Sequence, residues 1–270
     1  MIMKKLIPFI FCVLFSLTAF AQGGVDFQNL TFDEALAKAK AEKKLVFLDA
    51  YTSWCGPCKH MAKFLFPRKE AGDFFNPRFV SVKFDMEKGE GVALGQRLGV
   101  KAYPTFVIIR PDGTVLHRIV GQLELDELIK RVNRGVNPKT SLHYLAGEYE
   151  KGKLDKKQMM AYKQALDDGS ESEMAQKVWK ELIPLLTEKD KLKKEFFAVF
   201  EDEGCTLESP DFKFLLANLP VIEKNAGKER VGEYLYRFYD IALTLNIRRR
   251  EGPSHFSPHP AKNETVPRVF

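Results

Sequence analysis

Two cysteines spaced three positions apart, directly after an apolar run, constrain this chain more than any other feature. Leu45-Val46-Phe47-Leu48 reads as a buried strand, and Trp54-Cys55-Gly56-Pro57-Cys58-Lys59 follows it closely. Two thiols at this spacing can close a small disulfide and open it again. Strand, then Cys-x-x-Cys, then helix is the context in which the pair points to redox chemistry. A zinc half-site would need a second pair of ligands, and the sequence offers none.

Residues 1–21 are set aside before any fold reasoning. Lys4 and Lys5 precede an apolar run over 6–20, interrupted at Pro8, and Ala19-Phe20-Ala21 supplies the small residues of a signal-peptidase site. The run is shorter than the roughly 18 apolar residues of a membrane-spanning helix. The expectation is a signal peptide cleaved after Ala21, with the protein in a periplasm or otherwise secreted and without a stable membrane span. A retained anchor is the alternative. Cys12 lacks the small preceding residue of a lipoprotein site, because Phe9-Ile10-Phe11 stands before it. Cys55, Cys58 and Cys205 would remain after cleavage. One pair and one odd thiol do not make a disulfide-stapled scaffold.

The formal net charge of +6 invites a nucleic-acid reading, and its distribution argues against one. Lys4 and Lys5 lie in the signal segment. Arg248, Arg249, Arg250, Lys262 and Arg268 crowd the last 23 residues against only Glu251 and Glu264. The near-neutral body lacks the broad basic face that phosphate binding needs.

The first half of the chain alternates helix and strand signals. Thr31-Phe32-Asp33-Glu34 is a capping-box pattern opening a helix to about Lys43. A strand follows at 44–50, then a helix from Cys58 to about Ala71, kinked at Pro67. A strand at 79–84, a helix at 92–98, strands at 105–110 and 114–120 joined by Asp112-Gly113, and a helix at 123–134 complete residues 22–136. Strand signals then stop. Helices are expected at 142–152, 155–169, 173–186 and 187–204, a short one from Ser209-Pro210, and a last one at 228–245. This gives an all-α domain at 137–247. The tail 248–270, with Pro253, Pro258, Pro260 and Pro267, is expected to be disordered. His255 and His259 lie in it and read as solvated.

Cys55 would sit at the N-terminus of the helix that carries Cys58, where unpaired N–H groups and the helix dipole favour negative charge. Only a thiolate attacks a disulfide, so Cys55 is the expected nucleophile and Cys58 the resolving thiol. Gly56 and Pro57 make the connection tight, and Trp54 offers a flat apolar surface beside the nucleophile or simply packs in the core. Cys205, beside Gly204, reads as a structural thiol.

This stretch resembles the thioredoxin active site, and the resemblance covers roughly residues 25–136. Ala102-Tyr103-Pro104-Thr105 precedes an apolar strand where that family places a cis-proline, so Pro104 is implied to be cis, to pack on the cysteine pair and to expose backbone for substrate. Asp49, within the strand before the motif, matches the family's buried acid, with a raised pKa and a proton-relay role toward Cys58. Lys83 is its candidate charge partner. The run from Lys44-Leu45 through Asp85-Met86-Glu87 to Tyr103-Pro104-Thr105 is similar to exported thioredoxin-like proteins and to the C-terminal periplasmic domain of DsbD. Tyr103 replaces the isoleucine common in cytosolic thioredoxins, which leaves the direction of reaction open.

The resemblance implies an α/β thioredoxin fold, a central mixed sheet flanked by helices, followed by the all-α domain. It implies a protein-disulfide reductase that needs no bound cofactor. Its partners would be disulfide-containing proteins and an upstream thiol electron donor, a membrane-bound one among the candidates. The alternatives are an oxidase or isomerase running the same thiols in reverse, and a binding protein whose helical domain recruits a partner.

Overall fold

The computed structural model of the chain describes residues 23–201 and 206–251, the side chains of 242–251 excepted. The signal segment, Cys12, Cys205, and the histidines and prolines beyond residue 251 lie outside the described residues. The chain divides into two compact units at Leu185/Leu186.

The first unit is built on a four-stranded sheet. Helix α1 (Phe32–Glu42) leads into β1 (Leu45–Tyr51). Then come α2 (Gly56–Phe64), α3 (Lys69–Phe75), β2 (Phe79–Asp85), α4 (Glu90–Arg97), β3 (Thr105–Ile109), β4 (Val115–Val120) and α5 (Leu125–Val136). The strand order is β2-β1-β3-β4, with β1 and β2 parallel and the other two pairings antiparallel. This is the mixed sheet flanked by helices that the thioredoxin resemblance implies.

Alternation along β1 sorts the core into two faces, because successive strand side chains point oppositely. Val46, Leu48 and Ala50 pack with Phe32 and Ala35 of α1, Leu94 of α4 and Leu98 just beyond it. Phe47 faces the other way, among Met61, Leu65, Phe75, Leu128 and Val132, under α2, α3 and α5. Asp49 shares the Phe47 face.

Local chemistry explains most boundaries. Thr31 and Glu34 form the reciprocal capping box that starts α1. The expected helix at 58–71 is instead two helices, α2 and α3, interrupted at residues 65–68 around Pro67. A proline there removes a backbone donor and clashes with the preceding turn. At the β3–β4 turn, Gly113 takes φ +85°, and the Thr114 N–H donates to the Asp112 carboxylate at 2.9 Å.

The first unit extends well beyond the expected boundary at residue 136. Helices α6 (Leu142–Glu150), α7 (Lys156–Asp168) and α8 (Ser172–Leu182) pack on one another and against β4 and α5. A buried polar cluster ties them down. His117 of β4 is fully buried, with Nε2 3.1 Å from Asp168 at the end of α7. Its Nδ1 accepts the Leu142 N–H at 3.3 Å, so the ring proton belongs on Nε2, pointing at the carboxylate. Arg134 also bonds Asp168, and Arg131 stands 3.3 Å from it. Gly135 permits the close approach of α5, since a Cβ there would lie 2.7 Å from His117 Cβ.

The second unit is helical. It contains α9 (Glu188–Lys191), a 3₁₀ stretch at Lys194–Val199, α10 (Pro210–Ala217), α11 (Leu219–Ala226) and α12 (Lys228–Glu251). The single helix expected at 187–204 breaks because Lys193 is extended, at φ −86° and ψ 144°. Beyond it Phe197 and Phe200 enter a core with Leu215, Ile222, Val231 and Tyr234. Among the described residues, no helix is long and apolar enough to cross a membrane.

Candidate active site

The end of β1, the start of α2 and the start of β3 meet at one end of the sheet, at its two central strands. Antiparallel pairing sets Thr105 opposite Ala50, so the turn before β3 arrives beside the loop that carries the cysteines. Cys55 and Cys58 are joined in a disulfide, with S–S 2.08 Å and Cα–Cα 5.3 Å. Cys55 is the N-cap of α2, and its sulfur accepts the Cys58 N–H at 3.1 Å. The same bond would stabilise a Cys55 thiolate after reduction. Gly56 and Pro57 occupy the first helical positions, where a missing N–H costs nothing. Both sulfurs are enclosed in this oxidised state, Cys55 at 2% exposure and Cys58 at 7%.

The Tyr103–Pro104 peptide bond is cis. Pro104 and Thr105 are buried, and the Thr105 hydroxyl donates to the Ala102 carbonyl at 2.7 Å. The Pro104 carbonyl accepts the Gly121 N–H at 2.9 Å, which links this turn to the end of β4. Tyr103 stands edge-on to Trp54 with ring centroids 6.0 Å apart. Trp54 is 65% exposed, so it forms the rim of the site and is not core.

Asp49 lies two residues before the end of β1, 6% exposed, and its Oδ1 accepts no hydrogen bond. Burial pushes its carboxyl up to about 7, against the opposing pull of Lys83. Lys83 stands in register with Asp49 on β2. Its side chain is exposed, and its ammonium lies 5.9 Å from the Phe27 ring centroid.

A second set of residues, which the sequence reading gave no role, fixes the loop before the cysteines. The Trp54 indole N–H donates to Glu87 at 2.9 Å. Ser53 donates to Asp85 and accepts from Lys88 at 2.7 Å. The Ser53 hydroxyl, with the Glu87 N–H and Lys88, holds the Asp85 carboxyl below the usual carboxylate range. The signal available in the sequence was the charged run Asp85-Met86-Glu87-Lys88 directly after a strand parallel to β1. Among the described residues, no group of three or more His, Cys, Asp or Glu side chains is arranged to hold a metal.

A thioredoxin-like domain model matches residues 32–135. Thioredoxin H2-1 of Oryza sativa subsp. japonica is 38% identical over 102 residues, which are 38% of this chain and 68% of that protein. A solution structure of a candidate disulphide isomerase from Bacteroides thetaiotaomicron is 48% identical, covering 43% of this chain and 95% of that one, with a TM-score of 0.40. The oxidised C-terminal domain of Neisseria meningitidis DsbD is 25% identical, covering 38% of this chain and 90% of that one, with a TM-score of 0.34. Against four other curated relatives the chain spans between 46% and 63% of their length.

Proposed function

The chain belongs to the thioredoxin family, and from that premise we propose that it is a thiol–disulfide oxidoreductase reducing disulfide bonds in other proteins. The observation that carries this reading is a Cys55–Cys58 disulfide at the N-terminus of a helix, with a buried carboxyl, Asp49, in the strand that leads into it. The cycle begins from the dithiol. The Cys55 thiolate attacks one sulfur of a client disulfide, that S–S bond breaks, and the departing client thiolate takes up a proton. A mixed disulfide now joins Cys55 to the client. Cys58 gives its proton to Asp49 and attacks the Cys55 sulfur; the bond from Cys55 to the client breaks, and the leaving client thiolate takes up the proton that Asp49 gives back. The client has gained two electrons and two protons, and Cys55–Cys58 is oxidised. An upstream dithiol donor returns the pair to the reduced state, and no bound cofactor takes part.

The carboxyl at about 7 suits this step, since a group near neutrality accepts a proton and gives it back at little cost. In this reading the turn at Tyr103 and Pro104 is where client backbone docks, with Trp54 and Tyr103 as its apolar rim. Lys83 tunes Asp49 across the strand pair. Export to a periplasm, with a membrane-bound donor, is supported by Lys4-Lys5, the apolar run at 6–20 and Ala19-Phe20-Ala21.

Tyr103 favours keeping the reverse direction, disulfide donation or isomerisation, as a second reading. It stands against Trp54 at the mouth of the site, where it bears on redox poise. The test is reduction of insulin by residues 22–270 with dithiothreitol as electron source. Acceleration that disappears in Cys55→Ser supports the oxidoreductase. Equal rates with and without the protein would move the function to the helical half as a binding module.

A further inference from the structure

We propose that Thr52 is a further residue of the redox site, its hydroxyl donating a hydrogen bond to the Cys55 sulfur once the disulfide is reduced. The proposal rests on the pair's being redox-active, whichever way it runs, and adds a contact that exists in one state only.

Among the described residues, three buried side-chain atoms have no hydrogen-bond partner: Asp49 Oδ1, Thr52 Oγ1 and Ser81 Oγ. Ser81 stands back along the sheet, opposite Phe47. The other two lie on the segment that runs from the end of β1 to Cys55. Buried polar atoms are almost always paired, and one left over calls for an explanation. For Asp49 the proton relay supplies it. Thr52 has no such role in the oxidised state, and at 1% exposure it is closed off from bulk solvent.

Its place in the chain supplies the explanation. The Cys55 N–H donates to the Thr52 carbonyl at 3.2 Å, closing a tight turn over 52–55. Such a turn brings its end residues within about 7 Å between Cα atoms. Thr52 and Cys55 are those ends, both side chains are short, and Cys55 is enclosed as Thr52 is. The residues between them are held by other partners, Ser53 by Asp85 and Lys88, Trp54 by Glu87. The turn is thus fastened from outside, and Thr52 carries the hydroxyl it leaves unengaged.

The redox state decides whether that hydroxyl has an acceptor. A disulfide sulfur is neutral and a weak acceptor, so turning the O–H toward it gains little. Reduction adds two electrons and one proton to the pair, giving the Cys55 thiolate and the Cys58 thiol. A thiolate is a charged acceptor, and hydrogen bonds to charged groups are the strong ones. The Cys58 N–H already reaches the Cys55 sulfur at 3.1 Å, and Thr52 becomes its second donor. The cost of the unpartnered hydroxyl falls on the oxidised state and the benefit on the reduced one. Both act in one direction, toward a thiolate that forms at lower pH and a less negative potential.

The test uses the full chain in both redox states, with two variants. Thr52→Val keeps the shape and loses the donor; Thr52→Ser keeps a hydroxyl. Iodoacetamide alkylation of the reduced protein is followed against pH, with mass spectrometry locating the label on Cys55. Thr52→Val should raise the pH midpoint by about one unit, which is about tenfold less thiolate below the midpoint. Measured above both midpoints, its reduction potential should become more negative by about 30 mV, the same tenfold for a two-electron couple. Thr52→Ser should stay close to wild type in both. Oxidised Thr52→Val should resist urea at least as well as wild type, where a merely structural threonine would lose stability. An unchanged midpoint and potential in Thr52→Val, or a loss of oxidised stability, would overturn the contact. If Thr52→Val shifts both while the wild type fails to reduce insulin, the contact stands and the reductase reading falls.

Discussion

Asp49 and Lys83 face each other across the parallel β1–β2 ladder, but their side chains end in different surroundings. The carboxyl is enclosed with an oxygen that accepts no hydrogen bond, and the ammonium is exposed near the Phe27 ring. Burial therefore outweighs the lysine at this acid, and that imbalance gives the site a proton acceptor near neutrality.

Linkage converts this into a stability slope. The carboxyl's ordinary value is 3.8, and folding pushes it up to about 7. Between those values the folded, oxidised protein holds a proton that the unfolded chain has lost. Stability should therefore fall as pH rises from about 4 to about 7 and level off above. At about 1.4 kcal/mol per pKa unit, the loss is of the order of 4 kcal/mol. Asp49→Asn should lack this component, so the wild-type and variant urea curves should separate progressively with pH. Parallel pH profiles would contradict the assignment.

The two thiols should behave differently in a trap. Cys58→Ser should accumulate a mixed disulfide between Cys55 and a client, seen by mass spectrometry as a reducible adduct. Cys55→Ser should accumulate none. Both sulfurs are enclosed in the oxidised form, so this order of attack rests on the N-cap position of Cys55. An adduct on Cys58 instead would reverse it.

Glu87→Ala should release the Trp54 indole. The pair is at the surface, so global stability should change by less than about 1 kcal/mol. Iodide quenching of Trp54, measured with Trp179→Phe to isolate the signal, should increase. Unchanged quenching would mean that Glu87 does not hold the rim.

How far the sequence revealed this molecule depended on how far apart the interacting residues stand. The Thr31/Glu34 capping box, the Asp112-Gly113 turn and the Cys55–Cys58 spacing are local, and each fold feature they imply is present. The sheet followed from strand periodicity and the thioredoxin resemblance together. What escaped was long-range and polar. His117 and Asp168 are 51 residues apart, and neither stands in a local motif that would pair them. Their burial moves α6–α8 into the first unit. Trp54 and Glu87 are 33 apart, and the charged run around Glu87 does not say which side chain it meets. The break at Lys193 escaped for another reason: no proline or glycine marks it, and the aromatic core beyond it draws the chain out of helical geometry.

The buried cluster gives a further expectation. Asp168→Ala would leave Arg134 and His117 facing an empty position, a loss of roughly 3–5 kcal/mol by comparison with other broken buried pairs. Hydrogen exchange should then speed up across residues 142–182 while β1 and β3 stay protected. Uniform loss of protection would show instead that α6–α8 and the sheet open as one.

The most direct test of the central claim is the reduction potential of the Cys55–Cys58 pair in residues 22–270, measured by equilibration with glutathione. A reductase with the Cys-Gly-Pro-Cys pair should lie near thioredoxin's potential, about −270 mV. A value near −120 mV, the range of the strong oxidant DsbA, would contradict the proposed direction and make the protein a disulfide donor.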